Sequence, residues 1–369
     1  MAPRPVQEPR ALFEALPGRI LRSVDPEGLG PLVAAGPRAR ILAVMDELCV
    51  PVQTVCYECR LRAGDPRVDI AVCLFTTRTS SPGDVLGRLG ACREADASWS
   101  RSLAFLAEWS CPSSPFAHRI PFVCVAFDLP GDPAALPAPG LSLCVDPGFF
   151  SRQLGLPSPP PPSAAELADL SDACHRRLHG AALPAACRGM LERCLSGDDG
   201  VLARHVSFMV SRTPSTFKLD LRLPVDGVAS LLRRIGWPGD VPQVCTRIRE
   251  LMPWPGDVQL NLVLHPALGT SLEVELLTGR APCRAGDRLA LLQKLVDIGQ
   301  CDPDKAQVLR DAWARPVRRD DTGLIVARSW YLKVRFDGDR VAETKAYLGF
   351  MPRVLCDARQ AAALLAGAP

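Results

Sequence analysis

A chain of 369 residues that is 47% hydrophobic and 22% charged has the composition of a folded protein with a sizeable core, not of a disordered one. Its formal net charge of +3 argues against general binding to nucleic acids or membrane surfaces, so we expect functional positive charge to be local. The 15 cysteines stand singly in apolar runs, and neither a secretory leader nor a run of about eighteen apolar residues is found. These features predict a cytoplasmic protein with reduced thiols and without nucleic-acid or membrane partners.

The predicted elements alternate between helices and pairs of strands. Strands are predicted where polar and apolar residues alternate, and helices where apolar residues recur three or four positions apart. The predicted strand pairs are 54–62 with 68–76, 122–129 with 141–146, 204–211 with 216–223, 257–265 with 271–277, and the two strands within 327–351. The predicted helices are 38–48, 82–109, 164–179, 182–195, 227–235, 241–251, 287–298 and 303–313.

These elements repeat one unit, a helix or helix pair followed by an antiparallel strand pair, although the units do not match in sequence. Residues 1–37 are predicted to form an N-terminal extension, and residues 38–369 a single domain with a proline-rich connection at 157–163. An open sheet of all these strands would leave two unpaired edges, so closure is expected. The predicted fold is α/β of the antiparallel α+β type: a ten-stranded antiparallel barrel inside a ring of helices.

Each predicted strand has one apolar and one polar face. In one of them, Leu219 and Leu221 alternate with Lys218, Asp220 and Arg222. Helices would cover the apolar faces, so closure turns the polar faces toward a common lumen, and a barrel of this size can hold a ligand. Other polar residues predicted to line the lumen are Arg60, Asn261, Glu273, Glu275 and Tyr331.

The strand pair within 327–351 carries many basic and tyrosine side chains on one face. Residues 337–339 supply the turn, and the period of two puts these side chains of both strands on the same face. Such a face suits an anionic ligand. A solvated face with ordinary surface charges is the alternative, because Glu343 and Asp220 lie among the cations. The face consists of Tyr331, Lys333, Arg335, Lys345 and Tyr347.

A ring of such units around a polar lumen resembles the ABBA-type aromatic prenyltransferases and their indole- and peptide-modifying relatives. The resemblance covers the element order from Arg38 to Met351 and includes a Lys-x-Tyr pattern on a lumen strand, here Lys345-Ala346-Tyr347. It implies a transferase that moves a prenyl group from an allylic diphosphate to an aromatic small molecule or a peptide side chain. Neither Asp198-Asp199 nor Asp320-Asp321 extends to a DDxxD motif. No cofactor is therefore predicted as obligatory, and Mg²⁺ is allowed but not required.

Prenyl-transfer chemistry accounts for these residue types. Ionisation leaves negative charge on the diphosphate, which fixed cations in a low-dielectric cavity stabilise, and a carboxylate then accepts the acceptor's proton. The resemblance implies Glu58 as this carboxylate, although Glu58 has Arg60 or Arg62 as alternative ion-pair partners. The tyrosine count of three and the presence of Gln53 depart from the family pattern. The diphosphate ligands implied are Lys218, Arg222, Lys333, Arg335, Lys345 and Tyr347.

Two other function classes remain open at this level. One is a non-catalytic barrel that binds a peptide or a small anionic ligand in a biosynthetic pathway, and the other is an enzyme acting on a different anionic substrate. We expect a monomer. No metal site is predicted, since Cys56 and Cys59 would point to opposite strand faces. At His175 and His179 no Glu follows in HExxH spacing, and Arg176 and Arg177 between them repel cations.

Overall fold

The structure, a computed structural model, describes residues 15–24, 29–48, 52–75, 97–129, 139–149, 157–197, 200–210, 216–264, 268–276, 285–314, 317–319 and 325–353. Within these ranges an 11-stranded sheet is formed. All the predicted strands are present. The short β9, which pairs with the first residues of β10, was not predicted. The strands are β1 (Thr54–Arg60), β2 (Val68–Phe75), β3 (Phe122–Phe127), β4 (Gly140–Cys144), β5 (Leu202–Met209), β6 (Thr216–Pro224), β7 (Asp257–Leu264), β8 (Ser271–Leu276), β9 (Val317–Arg319), β10 (Ile325–Asp337) and β11 (Arg340–Arg353).

The sheet closes into an antiparallel barrel. Strands β1 to β8 neighbour one another in chain order, β8 pairs with β10, β10 with β11, and β11 returns to β1. The closing pair β10–β11 turns at Gly338, whose positive φ of 62° suits a residue without a side chain. The predicted ten-stranded barrel is therefore confirmed, and β9 lies outside the ring.

Helices are described between successive strand pairs, and their bounds follow the predictions closely. The predicted helix 82–109 is described only from residue 97, and its earlier part lies outside the described residues. Helix α1 was not predicted. The described α-helices are α1 (Pro17–Ser23), α2 (Ala35–Glu47), α3 (Ala97–Ser110), α4 (Ala164–His179), α5 (Ala185–Leu195), α6 (Val228–Arg234), α7 (Val241–Leu251), α8 (Ala285–Asp297) and α9 (Pro303–Ala314).

The hydrophobic core lies between the barrel and the helices. Along β1, Val55, Tyr57 and Cys59 are almost fully buried in this core, whereas Cys56 and Glu58 alternate with them on the lumen side. The same alternation in the other strands separates an apolar outer face from a polar inner one. The predicted orientation of the two strand faces is thus confirmed.

The proline-rich connection leads directly into α4. Ser163 caps this helix by accepting a hydrogen bond from the backbone N–H of Glu166, and the Glu166 carboxylate accepts one from the backbone N–H of Ser163. Prolines cannot continue a helix toward its N-terminus, so the reciprocal cap fixes where α4 begins.

The described part of the predicted N-terminal extension belongs to the same core. Ile20 and Leu21 of α1 are buried, and Ala15 forms a backbone bridge with Val52. The boundary at residue 37 stays a prediction. None of the described helices combines the length and the hydropathy needed to cross a membrane.

Candidate functional site

The inner face of the barrel carries a cluster of paired charges. Its basic and acidic side chains are equal in number and pair with each other at N–O distances of 2.6–3.9 Å. The lumen is therefore close to charge-balanced and not strongly positive. We call this group the lumen charge cluster. It consists of Arg60, Lys218, Lys333, Arg335 and Lys345 with Glu58, Asp69, Glu273, Glu275 and Glu343.

Glu273 is the point at which three predicted lysines meet. Its Oε2 lies 3.6 Å from Nζ of Lys218 and 3.6 Å from Nζ of Lys333, and its Oε1 lies 3.9 Å from Nζ of Lys345. These lysines come from β6, β10 and β11, so closure of the barrel is what brings them together. A carboxylate surrounded by three ammonium groups marks where an anionic ligand could bind in its place.

Lys333 is the most deeply held of the three lysines. Its Nζ lies 3.0 Å from Oε1 of Glu275 and donates a hydrogen bond to Oδ1 of Asn261. Burial disfavours its charge, but Glu275, Glu273 and Asp220 outweigh burial and raise the pKa of Lys333 well above its ordinary value. Lys333 is therefore a permanent cation in the lumen.

Glu58, the predicted proton acceptor, lies 2.9 Å from Nζ of Lys345 and 3.4 Å from Nη1 of Arg60. Burial alone would raise the pKa of Glu58, but Lys345, Arg60 and Lys333 lower it to about 2. Glu58 is thus ionised at neutral pH and binds protons weakly. The pairing with Arg60 considered from the sequence is present.

The two predicted arginines lie apart from the convergence point. Nε of Arg222 contacts Oδ2 of Asp257 at 2.7 Å, next to the end of β6. Nε of Arg335 lies 3.6 Å from Oε2 of Glu343, and its side chain is 36% exposed. The structure therefore groups Lys218, Lys333 and Lys345, while Arg335 is at the margin of the cluster and Arg222 is held by a separate carboxylate.

Two of the three tyrosines face the lumen as a stacked pair. The rings of Tyr331 and Tyr347 have centroids 4.7 Å apart and are inclined by 4°. Nζ of Lys333 lies 5.0 Å from the Tyr347 ring centroid, a cation–π distance. The third, Tyr57, is in the outer core.

Phenylalanines supply an aromatic wall that the sequence analysis missed. Phe122 has ring-centroid distances of 5.1 Å to Phe75, 4.8 Å to Phe149 and 5.6 Å to His205. Phe75 and Phe122 are cross-strand partners on the lumen side of β2 and β3. Counting tyrosines alone underestimated the aromatic lining, and strand alternation in β2 and β3 would have indicated it.

His205 and Asp220 form a second titratable group that was not predicted as a site. They are cross-strand partners, with His205 Nδ1 3.6 Å from Asp220 Oδ2. Burial, with smaller effects of Arg204 and Lys333, lowers the pKa of His205 to about 3, so the imidazole is neutral at pH 7. Burial raises the pKa of Asp220 to about 7. Asp220 is thus a lumen carboxylate that can exchange a proton near neutral pH.

No protein-family model matches this sequence, and no match is found among curated proteins. Among solved structures, the prenyltransferase PriB in its apo form is similar, with a TM-score of 0.51 and 13% sequence identity over 90% of this chain and 94% of PriB. AnaPT from Neosartorya fischeri has a TM-score of 0.46 at 13% identity, over 92% and 91% of the chains. A 6-dimethylallyltryptophan synthase from Micromonospora olivasterospora has a TM-score of 0.47 at 12% identity, over 90% and 94%.

The likeness to PriB extends over almost the whole of both chains, and in this chain that length contains the closed barrel and its outer helices. This chain has the ABBA prenyltransferase fold. The resemblance stated from the sequence is confirmed at the level of the fold. In the ABBA barrel described above, Lys345 and Tyr347 of the Lys-x-Tyr pattern both face the lumen, where Tyr347 is the cross-strand partner of Glu58.

In the described part of the ABBA barrel, no group of three or more His, Cys, Asp or Glu side chains is arranged to hold a metal ion. That Mg²⁺ is allowed but not required stays a prediction.

Replacing Glu58 by glutamine is expected to lower the free energy of unfolding by about 2–3 kcal/mol at pH 7. The pKa of Glu58 is lowered from 4.5 to about 2, so its stabilising effect is present above pH 4.5 and is lost as the pH falls through 2. Urea denaturation of both proteins at pH 7 and pH 3 measures the difference, which should shrink by about half at pH 3. Glu250→Gln, in an exposed pair with Arg247, is the control and should differ little at either pH.

Proposed function

We propose that this protein is an enzyme that transfers a prenyl group from an allylic diphosphate to an electron-rich acceptor, an aromatic small molecule or a peptide side chain. The observation that carries the proposal is the convergence of Lys218, Lys333 and Lys345 on Glu273 inside an ABBA barrel. The fold supports the reaction class, and the convergence supports the proposal that the diphosphate binds at this point.

The three lysines suit a leaving diphosphate because their ammonium groups already converge on one carboxylate. Their ammonium groups come from different strands and share one small volume, which Glu273 occupies in the described structure. A diphosphate that displaces the Glu273 carboxylate would meet three cations in a buried, low-dielectric site. As the allylic C–O bond breaks, the negative charge grows on the diphosphate oxygens, where these cations stabilise it most.

The aromatic side chains suit the other product of ionisation. The stacked Tyr331 and Tyr347 rings lie next to Lys333, and the phenylalanine wall lines the strands across the lumen. Aromatic faces stabilise cations and exclude water, which would otherwise capture an allylic cation. Glu58 is kept as a candidate proton acceptor, since it is ionised and adjacent to Tyr347 and Lys345.

The test is binding of inorganic pyrophosphate and dimethylallyl diphosphate by isothermal titration calorimetry. Lys218→Gln and Lys345→Gln are each expected to weaken binding of both by about tenfold or more, because each removes a charge-assisted contact. Glu273→Gln should strengthen it, because the competing carboxylate loses its charge. Arg247→Gln is the surface control and should bind as the unchanged protein does. Circular dichroism confirms folding of each variant.

The non-catalytic barrel is the second candidate, and the pairing of every cluster cation with a carboxylate favours it. A charge-balanced lumen suits a peptide or a small ligand of lower charge better than a diphosphate. Absence of diphosphate binding at millimolar concentration in both the unchanged protein and Glu273→Gln would exclude prenyl transfer. Binding without pyrophosphate release, in the presence of aromatic acceptors, would favour the non-catalytic barrel. Monomeric state and cytoplasmic location stay predictions.

A further inference from the structure

Three neighbouring lumen residues form a row across β5, β6 and β7. His205 is the cross-strand partner of Asp220, and Asp220 is the cross-strand partner of Asn261. Directly opposite residues on antiparallel strands are separated by roughly 5 Å, so one small ligand can contact two members of the row.

Each side chain of the row has one polar atom without a hydrogen-bond partner. His205 Nδ1, Asp220 Oδ1 and Asn261 Nδ2 make no hydrogen bond to any described residue. Asp220 is 7% exposed and Asn261 is 4% exposed. Leaving a buried polar atom without a partner is unfavourable, so three such atoms on adjacent strands point to a missing ligand.

The orientation of Asn261 is fixed by its neighbour. Lys333 can only donate, and its Nζ contacts the Asn261 side-chain oxygen, so the amide nitrogen is the atom left for another partner. By contrast, Ser142 and Ser207 of the neighbouring strands satisfy each other, with Oγ atoms 2.9 Å apart. Arg60 Nε, elsewhere in the lumen, also lacks a hydrogen bond to any described residue, but in this row unsatisfied atoms of three side chains lie on adjacent strands.

Aromatic rings border the row. The His205 ring centroid lies 5.6 Å from that of Phe122 and 6.3 Å from that of Phe149. A planar aromatic ligand could pack against this wall while its polar edge faces Asp220 and Asn261. The row presents an acceptor at Asp220 next to a donor at Asn261. The complementary ligand edge is therefore an N–H next to a carbonyl.

We infer that the row of His205, Asp220 and Asn261 binds the prenyl acceptor, and that this acceptor carries an aromatic ring with an adjacent N–H and C=O, as in an aromatic lactam or a peptide amide. Asp220 accepts a hydrogen bond from the N–H, and Asn261 donates one to the carbonyl. The His205 ring packs beside the ligand. The identity of the ligand as an acceptor rests on the proposed function, whereas the existence of the site does not.

Recognition by Asp220 depends on its ionisation, because a carboxylate is the stronger acceptor. The charged or titratable groups that face Asp220 are His205 from β5, Lys218 on its own strand, Glu273 and Glu275 from β8, and Lys333 from β10. Burial, opposed by Lys333 and reinforced by Glu275, raises the pKa of Asp220 to about 7. Binding of the N–H is therefore expected to be stronger at pH 8 than at pH 5.5.

Indolin-2-one and N-methylindolin-2-one are the probes, titrated into the full chain without diphosphate and followed by ligand-observed NMR. At pH 8 the N–H compound is expected to bind about tenfold more tightly than its N-methyl form, and the ratio should be smaller at pH 5.5. Asp220→Leu and Asn261→Asp should each abolish the preference. Asn261→Asp keeps an oxygen for Lys333 and removes the donor, and it also places a further carboxylate beside Asp220. Ser142→Ala is the lumen control and should retain the preference.

Equal affinity of the unchanged protein for the two compounds, or binding of neither at millimolar concentration, would overturn the inference. So would a preference that survives both Asp220→Leu and Asn261→Asp in folded proteins. These outcomes are independent of diphosphate: failure of pyrophosphate binding would exclude prenyl transfer while leaving the lactam measurement intact. A lactam preference without diphosphate binding would assign the row to the non-catalytic barrel.

Discussion

Replacing Lys333 by methionine is expected to lower the free energy of unfolding by about 3–5 kcal/mol, as breaking one side of a buried ion pair does. The Lys333 ammonium is 3.0 Å from Glu275 and 3.6 Å from Glu273, and its side chain is only 8% exposed. Removing it leaves Glu275 and the Asn261 oxygen without their cation, whereas Glu273 keeps Lys218 and Lys345. Since whole domains are stable by only about 5–15 kcal/mol, the variant should be markedly less stable by urea denaturation at pH 7.

A second substitution separates lost charge pairing from lost packing. Lys333→Met combined with Glu275→Gln is expected to recover part of the lost stability, because the strongest uncompensated charge is then neutral. Arg247→Met, which breaks an exposed pair with Glu250, should change stability by less than about 1 kcal/mol. A loss for Lys333→Met no larger than for Arg247→Met would show that the charge network contributes little to the stability of the barrel.

The fold could be predicted because side chains alternate between the two faces of any strand, and this alternation is unchanged when the strands close into a barrel. Leu219 and Leu221 had to point away from Lys218 whatever the strand paired with, and the observed burial follows that pattern. The elements that were missed are short: α1 spans 7 residues and β9 only 3. In pieces of this length, propensity decides little and contacts with the rest of the fold decide most.

The site could be predicted only in part, because charge pairing is a property of the assembled barrel. The sequence placed Lys218, Lys333 and Lys345 on lumen faces, and these faces were brought together as expected. Their shared carboxylate, Glu273, follows from the registers of β8 with β7 and β10, which strand patterns do not specify. The separation of Arg222 from the cluster arises in the same way, through its contact with Asp257 across the β6–β7 pair.

The pKa of Asp220 was beyond sequence reasoning for a different physical reason. A carboxyl between Lys218 and Arg222 on one strand would be expected from local charge to have a low pKa. In the barrel, burial dominates, and Glu275 and Glu273 oppose the effect of Lys333, so the pKa rises from 3.8 to about 7. Glu58, a carboxyl in the same lumen, is shifted in the opposite direction because two cations contact it directly.

Replacing Asp220 by asparagine is therefore expected to stabilise the folded protein at pH 8 by about 2–4 kcal/mol. Between pH 3.8 and pH 7 the unfolded chain releases the Asp220 proton while the folded chain retains it, so stability contributed by the neutral carboxyl is present at low pH and lost as the pH rises through 7. Asparagine resembles that neutral form and carries no such penalty.

Urea denaturation of the unchanged protein and of Asp220→Asn at pH 8 and pH 4 measures this effect, which should nearly vanish at pH 4. Asp257→Asn is the matched control, because Asp257 holds Arg222 through a 2.7 Å contact and its loss should destabilise the fold. A destabilised Asp220→Asn protein at pH 8 would mean that the Asp220 carboxylate is held by its cations, as Glu58 is. A stabilised one would show that the fold retains a costly ionisable carboxyl in its lumen, which is the pattern expected where function opposes stability.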